Sequence, residues 1–173
     1  MEFNLLFAGR PVMQKGLKDL FMALSLLKEY NWKLTIVGEL PSEISTSQLT
    51  IKNRLTLVGA QSNDLMPMFL NQHDILIVPS HYENFGNIII EGLACGTVIV
   101  AAKTGGIKDL ITHGYNGFFF EPKNYIQLSN KIKYIFDNPY IMKDIGENAL
   151  LSSIRYDWKN IIAETLVLFE KYL

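Results

Sequence analysis

What this sequence lacks narrows its reading first. It has a single cysteine, Cys95, so no internal disulfide framework can form and a reducing compartment, the cytoplasm, is expected. It lacks a charge excess of either sign: sixteen basic and seventeen acidic side chains leave a formal net charge of -1. Bulk electrostatic capture of nucleic acid or of an anionic membrane is therefore not expected, and any phosphate binding has to be local. Apolar runs such as Ile88 to Ile90 and Phe118 to Phe120 fall far short of the roughly 20 residues of a membrane helix, so no direct membrane span and a soluble chain are expected. The start, Met1-Glu2-Phe3, carries no basic segment, long apolar stretch or small-residue cleavage site, so no secretion signal is expected. Repeats, low-complexity tracts and linkers are missing too, and residues 1–173 read as one domain.

What is present is 49% hydrophobic residues, enough to bury a proper core, arranged as short apolar runs that alternate with helix-period segments. That alternation predicts an α/β fold, a Rossmann-like three-layer sandwich around a parallel six-stranded sheet. The strands are expected at Asn4–Ala8, Lys33–Val37, Arg54–Val58, Asp74–Val78, Thr97–Ala102 and Gly117–Phe120. Leu17, Leu20, Phe21, Leu24 and Leu27 put one apolar helix face on the sheet, and Asp64–Asn71, Asn87–Cys95 and Ile107–Thr112 read as further helices. Ser42 to Thr50 is polar and ambiguous. After a β/α core of 1–122, residues 123–173 keep only helical periodicity, with breaks at Asp137-Asn138-Pro139 and Ser152-Ser153 between about three helices. Their aromatics Tyr134, Phe136, Trp158 and Phe169 read as core packing.

In a parallel sheet the ligand crevice lies beyond the carboxyl ends of the strands. Gly9, Gly38, Gly59, Gly86 and the pair Gly105-Gly106 all fall there; each alone could be a turn glycine, but together they outline a rim. Arg10 and Lys15 flank the first turn with no acid between them, which suits a diphosphate at a helix N-terminus, or equally two solvated surface charges. Glu91 is a carboxylate in the otherwise apolar stretch Asn87-Ile88-Ile89-Ile90-Glu91-Gly92-Leu93-Ala94. Such a group needs a partner: both hydroxyls of a ribose, or a distant Lys or Arg. Glu83 precedes it by eight positions in the loop that feeds the same helix, so both carboxylates can face one ligand. An acid and base pair for glycosidic hydrolysis is disfavoured by the phosphate-type turn around them. His73, His81 and His113 show no metal-ligand spacing, and no metal site is expected; His81 is of interest only for sharing the loop with Glu83.

Over nearly its full length the chain resembles the C-terminal donor-binding domain of retaining glycosyltransferases of the two-Rossmann-domain (GT-B) architecture, in the large family 4. The match is carried by Phe7-Ala8-Gly9-Arg10 through Lys15-Gly16, by Ile36-Val37-Gly38 with Pro41, by Pro79-Ser80 and Glu83-Asn84-Phe85-Gly86 on to Glu91-Gly92-Leu93-Ala94-Cys95-Gly96, and by Val100-Ala101-Ala102 through Gly105-Gly106-Ile107 and Gly114 to Pro122. Two mild departures are Asp109, where the family usually has glutamate, and Gly92, where alanine is common. The resemblance implies that Arg10 and Lys15 hold the donor diphosphate beside Gly9 and Gly86, and that Glu91 binds the ribose. It implies that Glu83 contacts the transferred sugar beside the backbone amides of Phe85, Gly86 and Asn87, and that the base lies near Gly59 and Ala60. Glu83, Arg10 and Lys15 are the candidate catalytic residues. No metal or other cofactor is implied, because fixed cations and helix-end amides stabilise the leaving diphosphate. The implied partners are a UDP- or GDP-sugar, a glycan or lipid-linked acceptor, and an N-terminal acceptor domain or partner chain that the sequence does not contain. Bacterial surface polysaccharide, lipopolysaccharide among it, is the expected product. A non-catalytic nucleotide-binding or partner-recruiting subunit, a nucleotide-sugar epimerase and a phosphorylase are the competing readings; for the last, no cofactor lysine site can be located.

Overall fold

A computed structural model describes residues 1–10, 12–42, 44, 45 and 49–172. Pro11 of the first turn and part of the ambiguous 42–50 segment lie outside them. The strands are β1 (Phe3–Ala8), β2 (Trp32–Val37), β3 (Leu55–Gly59), β4 (Ile75–Val78), β5 (Val98–Ala102) and β6 (Phe118–Phe120). The helices are α1 (Leu17–Ser25), α2 (Met66–Gln72), α3 (Asn87–Ala94), α4 (Ile107–Leu110), α5 (Tyr125–Asp137), α6 (Ile141–Ser153) and α7 (Trp158–Tyr172). All six strands are parallel, in the order β3-β2-β1-β4-β5-β6.

Side chains alternate across a strand, and β1 shows how this sequence uses it. Phe3, Leu5 and Phe7 join one buried cluster with Leu20, Leu24 and Leu128, beneath α1 and α5. Leu6 belongs to the other, with Phe69, Ile89 and Leu93, beneath α2 and α3. The central strands are covered on both faces, which is why β4 and β5 are apolar at every position and fully buried. Truncating a fully buried leucine here, such as Leu20 or Leu24, would cost about 2–5 kcal/mol.

The topology also locates the crevice. From β1 the chain winds outward to β2 and β3, then returns to the other side of β1 as β4 and continues to β6. Connections therefore leave β1 and β4 in opposite directions, opening a gap above their carboxyl ends.

One expectation fails in the C-terminal region. Phe136 is buried and stacks on Phe3 with ring centroids 4.2 Å apart, but Tyr134 is 47%, Phe169 61% and Trp158 74% exposed. Helical spacing states which residues share a face, not what covers it. On α7 the face bearing Trp158, Ile162, Leu166 and Phe169 finds no buried position at all.

Candidate functional site

Three turns meet over the gap between β1 and β4. The first, Gly9 to Gly16, ends in a short 3-10 turn, Met13–Lys15, after which Gly16 takes φ 70°. A Cβ on Gly16 would sit 1.9 Å from the carbonyl oxygen of Pro79, so only glycine lets the first turn pack against the loop after β4. That loop, residues 79–86, is pinned to the first turn at several points. The His81 N–H donates to the Gln14 carbonyl at 2.7 Å, His81 Nε2 lies 2.6 Å from Asp19 Oδ2 on α1, and Lys15 Nζ lies 2.5 Å from Glu83 Oε2. The third turn closes from β5: the Gly106 N–H donates to the carbonyls of Glu83 and Asn84, and a Cβ on Gly105, at φ 47°, would meet the Glu83 carbonyl at 1.8 Å. The glycine rim thus keeps three backbone turns in mutual contact.

The result is two adjoining clefts. One, about 520 Å³, is lined by Arg10 and Glu91 together with Gly38, Glu39, Ala60, Gln61, Asn63 and Met66. The other, about 390 Å³, is lined by Lys15, Glu83, Asn84, Phe85 and Gly86. Both include Ala8, Gly9, Arg10, Asn87 and Ile88, so Arg10 and the start of α3 stand between them. The combined shape suits an elongated ligand with a charged middle, since an α3 N-terminus beside a cation is a ready anion seat.

The two acid–base couples differ. Lys15 and Glu83 are paired with each other, with side chains about a fifth exposed, and the Ser80 hydroxyl donates to the same carboxylate oxygen at 3.4 Å. Arg10 and Glu91 have no hydrogen bond or ion pair from their side chains among the described residues. The Lys or Arg partner that could have explained Glu91 structurally is therefore missing among those residues. Half-buried on α3, the Glu91 carboxyl is pushed above its ordinary value by burial.

The sequence-derived set is largely brought together: Gly9, Arg10, Lys15, Glu83, Phe85, Gly86, Asn87, Glu91 and Ala60 all line these clefts. Gly59 does not; its carbonyl accepts from the Gly38 N–H at 2.8 Å and ties the end of β3 to the turn after β2. His81 is spent on Asp19 and does not line either cleft. The residues not foreseen are Glu39, Gln61, Asn63 and Met66. Their signal was position, because they follow the carboxyl ends of β2 and β3, where polar residues in turns face the crevice. The Gln61 side-chain amide donates to the Val58 carbonyl at 3.2 Å, which fixes its orientation at the cleft wall.

A parallel 3-2-1-4-5-6 sheet with a glycine-lined crevice over its switch point defines a Rossmann-type nucleotide-binding architecture. Residues 1–151 match the family of glycosyl transferases group 1, and the chain belongs to that family. An uncharacterized glycosyltransferase of Methanocaldococcus jannaschii is 32% identical over 96% of this chain and 47% of its own length. The structure of HepE from Anabaena with UDP and glucose superimposes with a TM-score of 0.85 at 28% identity, covering 96% of this chain and 48% of that one. The C-terminal domain of a group 1 glycosyl transferase (LpcC) from Francisella tularensis shares the fold, with a TM-score of 0.79 at 22% identity, over 90% of this chain and 87% of that domain. The chain spans about half the length of the curated relatives it matches, and its fold is that of the C-terminal half of a GT-B glycosyltransferase.

Proposed function

We propose that this chain is the donor-binding half of a retaining glycosyltransferase that takes a sugar from a nucleoside diphosphate and passes it to a glycan or lipid-linked acceptor. The observation that carries the reading is that Arg10 and Glu91, neither of them partnered among the described residues, line one cleft beside the α3 N-terminus. The ribose hydroxyls donate to the two Glu91 oxygens, which the burial of that carboxyl rewards by giving it the partners it lacks. The diphosphate lies between Arg10 and Lys15 against the backbone of Gly9 and Gly86, and the base extends over Ala60 toward Gln61 and Asn63. The transferred sugar lies by Glu83 and the amides of Phe85, Gly86 and Asn87. On this reading Lys15 leaves Glu83 when the diphosphate arrives, and Glu83 turns to the sugar hydroxyls. Charge that develops on the leaving diphosphate is met by the cations of Arg10 and Lys15 and by helix-end amides rather than by a metal, and front-face attack retains configuration.

HepE solved with UDP and with UDP-glucose supports a nucleotide-sugar donor. Relatives named as a capsular polysaccharide biosynthesis glycosyltransferase of Staphylococcus aureus and as an N-acetylgalactosaminyltransferase of Campylobacter jejuni acting on a diphospho-undecaprenol substrate support a bacterial surface polysaccharide, such as lipopolysaccharide, built at the cytoplasmic side of the membrane. The acceptor is held by a separate N-terminal half, for which the open apolar face of α7 is the docking surface. No described helix is long and apolar enough to cross a membrane, so membrane proximity would come through that half.

The test is calorimetric titration of the chain with UDP, GDP, ADP and their sugar conjugates in a metal chelator, repeated with Glu91→Ala. One nucleotide should bind, without metal, and binding should vanish in the variant. Retained affinity in Glu91→Ala would overturn the site assignment; transfer never appearing when an N-terminal half is supplied would overturn the enzymatic one.

A further inference from the structure

The free edge of the sheet carries a second polar groove that shares no residue with the donor clefts. It measures about 530 Å³ and is lined by Lys103, His113, Phe119, Glu121, Gln127 and Lys131, among others. β6 is an edge strand, and its outward N–H groups would be open to pairing with another chain. Two side chains close them: the Phe119 N–H donates to His113 Nδ1 at 2.9 Å, and the Glu121 N–H donates to Gln127 Oε1 at 2.9 Å.

Capping the edge has a consequence for the imidazole. A neutral ring has one lone pair to offer, and Phe119 takes it at Nδ1, so the proton of the neutral ring sits on Nε2. Nε2 lies 3.4 Å from Lys131 Nζ. Two donors therefore face each other, with no acceptor from the described residues bonded to either. Neither Lys131 nor Lys103 has an ion-pair partner among the described residues, although both lie close enough to hold the His113 pKa below its ordinary value, after burial as the main cause. Glu121 is the single acid lining the groove, and no ion pair ties it to either lysine.

We propose that this groove is an oxyanion site that seats a phosphate group between the His113 Nε2–H and the ammonium groups of Lys131 and Lys103. A phosphate oxygen in that position accepts from both donors that now oppose each other and neutralises two unpaired cations, while the planar ring, stacked on Phe119 with centroids 6.3 Å apart, fixes the direction of approach. Lys103 directly follows β5 and Glu121 directly follows β6, so the upper end of the groove opens on the same carboxyl rim as the donor crevice, with β5 between them. The ligand class is a phosphate monoester, either a free phosphorylated small molecule or the headgroup of an anionic lipid.

The experiment follows the His113 ring resonances of the chain by NMR, with His73 and His81 as internal references, while inorganic phosphate is added at constant ionic strength. Phosphate should shift His113 saturably and raise its pKa, since an adjacent anion favours the imidazolium. Lys131→Ala should weaken phosphate at least tenfold and Lys103→Ala less, Glu121→Gln should strengthen it several-fold, and Arg10→Ala, which removes a cation of the donor cleft, should leave it unchanged. Loss of the response in Arg10→Ala would assign it to the donor site, and no response, or an equal one in Lys131→Ala, would overturn the proposal. A marked fall of the His113 pKa in Glu121→Gln without phosphate would also overturn it, because Glu121 would then be the missing acceptor. Glycerol phosphate and vesicles of phosphatidic acid, against neutral vesicles, separate the two sources: both support the site, and the stronger identifies the ligand.

Discussion

The carboxyl rim of the sheet and the last helix are both left unfinished, in opposite chemical terms. At the rim, Arg10 and Glu91 are charges without partners among the described residues, beside backbone turns that touch one another through Gly16, Gly105 and Gly106. On α7 the unfinished feature is apolar: Trp158, Ile162, Leu166 and Phe169 lie more than half exposed on one face of a helix with no buried residue. Unpaired charges held in a rigid concave site select a small polar ligand. A contiguous apolar face selects a protein surface, because only another apolar surface removes it from water. The same chain therefore carries two recognition problems, and substitution in one region should leave the other undisturbed.

The largest effect should come from Glu91→Ala. Hydrogen bonds to a charged group are worth about 1.5–3 kcal/mol each, and losing two of them weakens nucleotide binding by at least about a hundredfold with no loss of fold. Glu91→Gln separates binding from stability. Because burial raises the folded-state pKa of Glu91 above 4.5, its carboxyl is protonated in both states below that value and carries no penalty. As pH rises from 4.5 through the raised value, the unfolded chain releases its proton first and native stability falls. Glu91→Gln should therefore match the native chain in acid and melt higher than it at neutral pH, while binding nucleotide poorly. Equal melting curves across that window would mean that Glu91 is not desolvated.

The next effect concerns the turns themselves. Gly105→Ala places a Cβ 1.8 Å from the Glu83 carbonyl at φ 47°, whereas Gly114→Ala, at φ 78°, meets nothing within 4 Å. The second pays only for backbone strain, about 1 kcal/mol, and the first must also move the 79–86 loop, about 2–3 kcal/mol in all. Gly105→Ala should lower the melting temperature about twice as far and reduce nucleotide affinity, with Gly114→Ala leaving affinity intact.

These contrasts show what was legible in the residues. The six strands, their parallel arrangement and the crevice were readable because apolar runs of four to six residues alternate with helical spacing, and the structural boundaries differ from the expected ones by only a residue or so. Most of the charged and glycine residues that line the two clefts were readable because charges stand out in apolar segments and glycines mark strand ends. The pairing of Lys15 with Glu83 was not, since the two are 68 positions apart and only the packing of the first turn on the loop after β4 joins them. Gln61 and Asn63 were hidden because polar residues after a strand look alike whether they face solvent or a cleft. The environment of α7 was unreadable for a deeper reason: its spacing is that of a packed helix, but among the described residues nothing buries its apolar face. Gly92, which departs from the alanine common in related sequences, has a local reason. A Cβ there would meet Leu76 Cδ2 at 2.9 Å and Ile99 Cδ1 at 3.2 Å, so α3 lies closer to β4 and β5 than an alanine permits without a shift of those side chains.

A smaller effect tests the exchange proposed for Lys15. In Glu83→Gln the lysine no longer has a competing carboxylate, and UDP or the corresponding diphosphate should bind about three- to fivefold more tightly, as expected for a partly exposed ion pair worth about 1 kcal/mol or less. The advantage of the sugar conjugate over the bare diphosphate should shrink at the same time, as the proposed contact of Glu83 with the sugar requires. A parallel loss for both ligands would show instead that Glu83 holds Lys15 in its working position.

The smallest effect is expected on α7, and its smallness is what the comparison requires. Replacing Trp158, Ile162 and Phe169 together by serine removes side chains that are more than half exposed, on a helix with no buried residue. Stability should change by no more than about 0.5 kcal/mol per site, apart from some loss of helix propensity confined to α7 itself. Nucleotide affinity should be unchanged, since no residue of α7 lines either cleft. What should change is association: an apolar helix face in water favours contact between copies, and sedimentation at rising concentration should show weaker self-association in the variant, as well as poorer recovery of transfer when an N-terminal half is added. A large drop in melting temperature would mean that α7 folds back onto the body of this chain in solution, and the two regions would then be parts of a single packed unit.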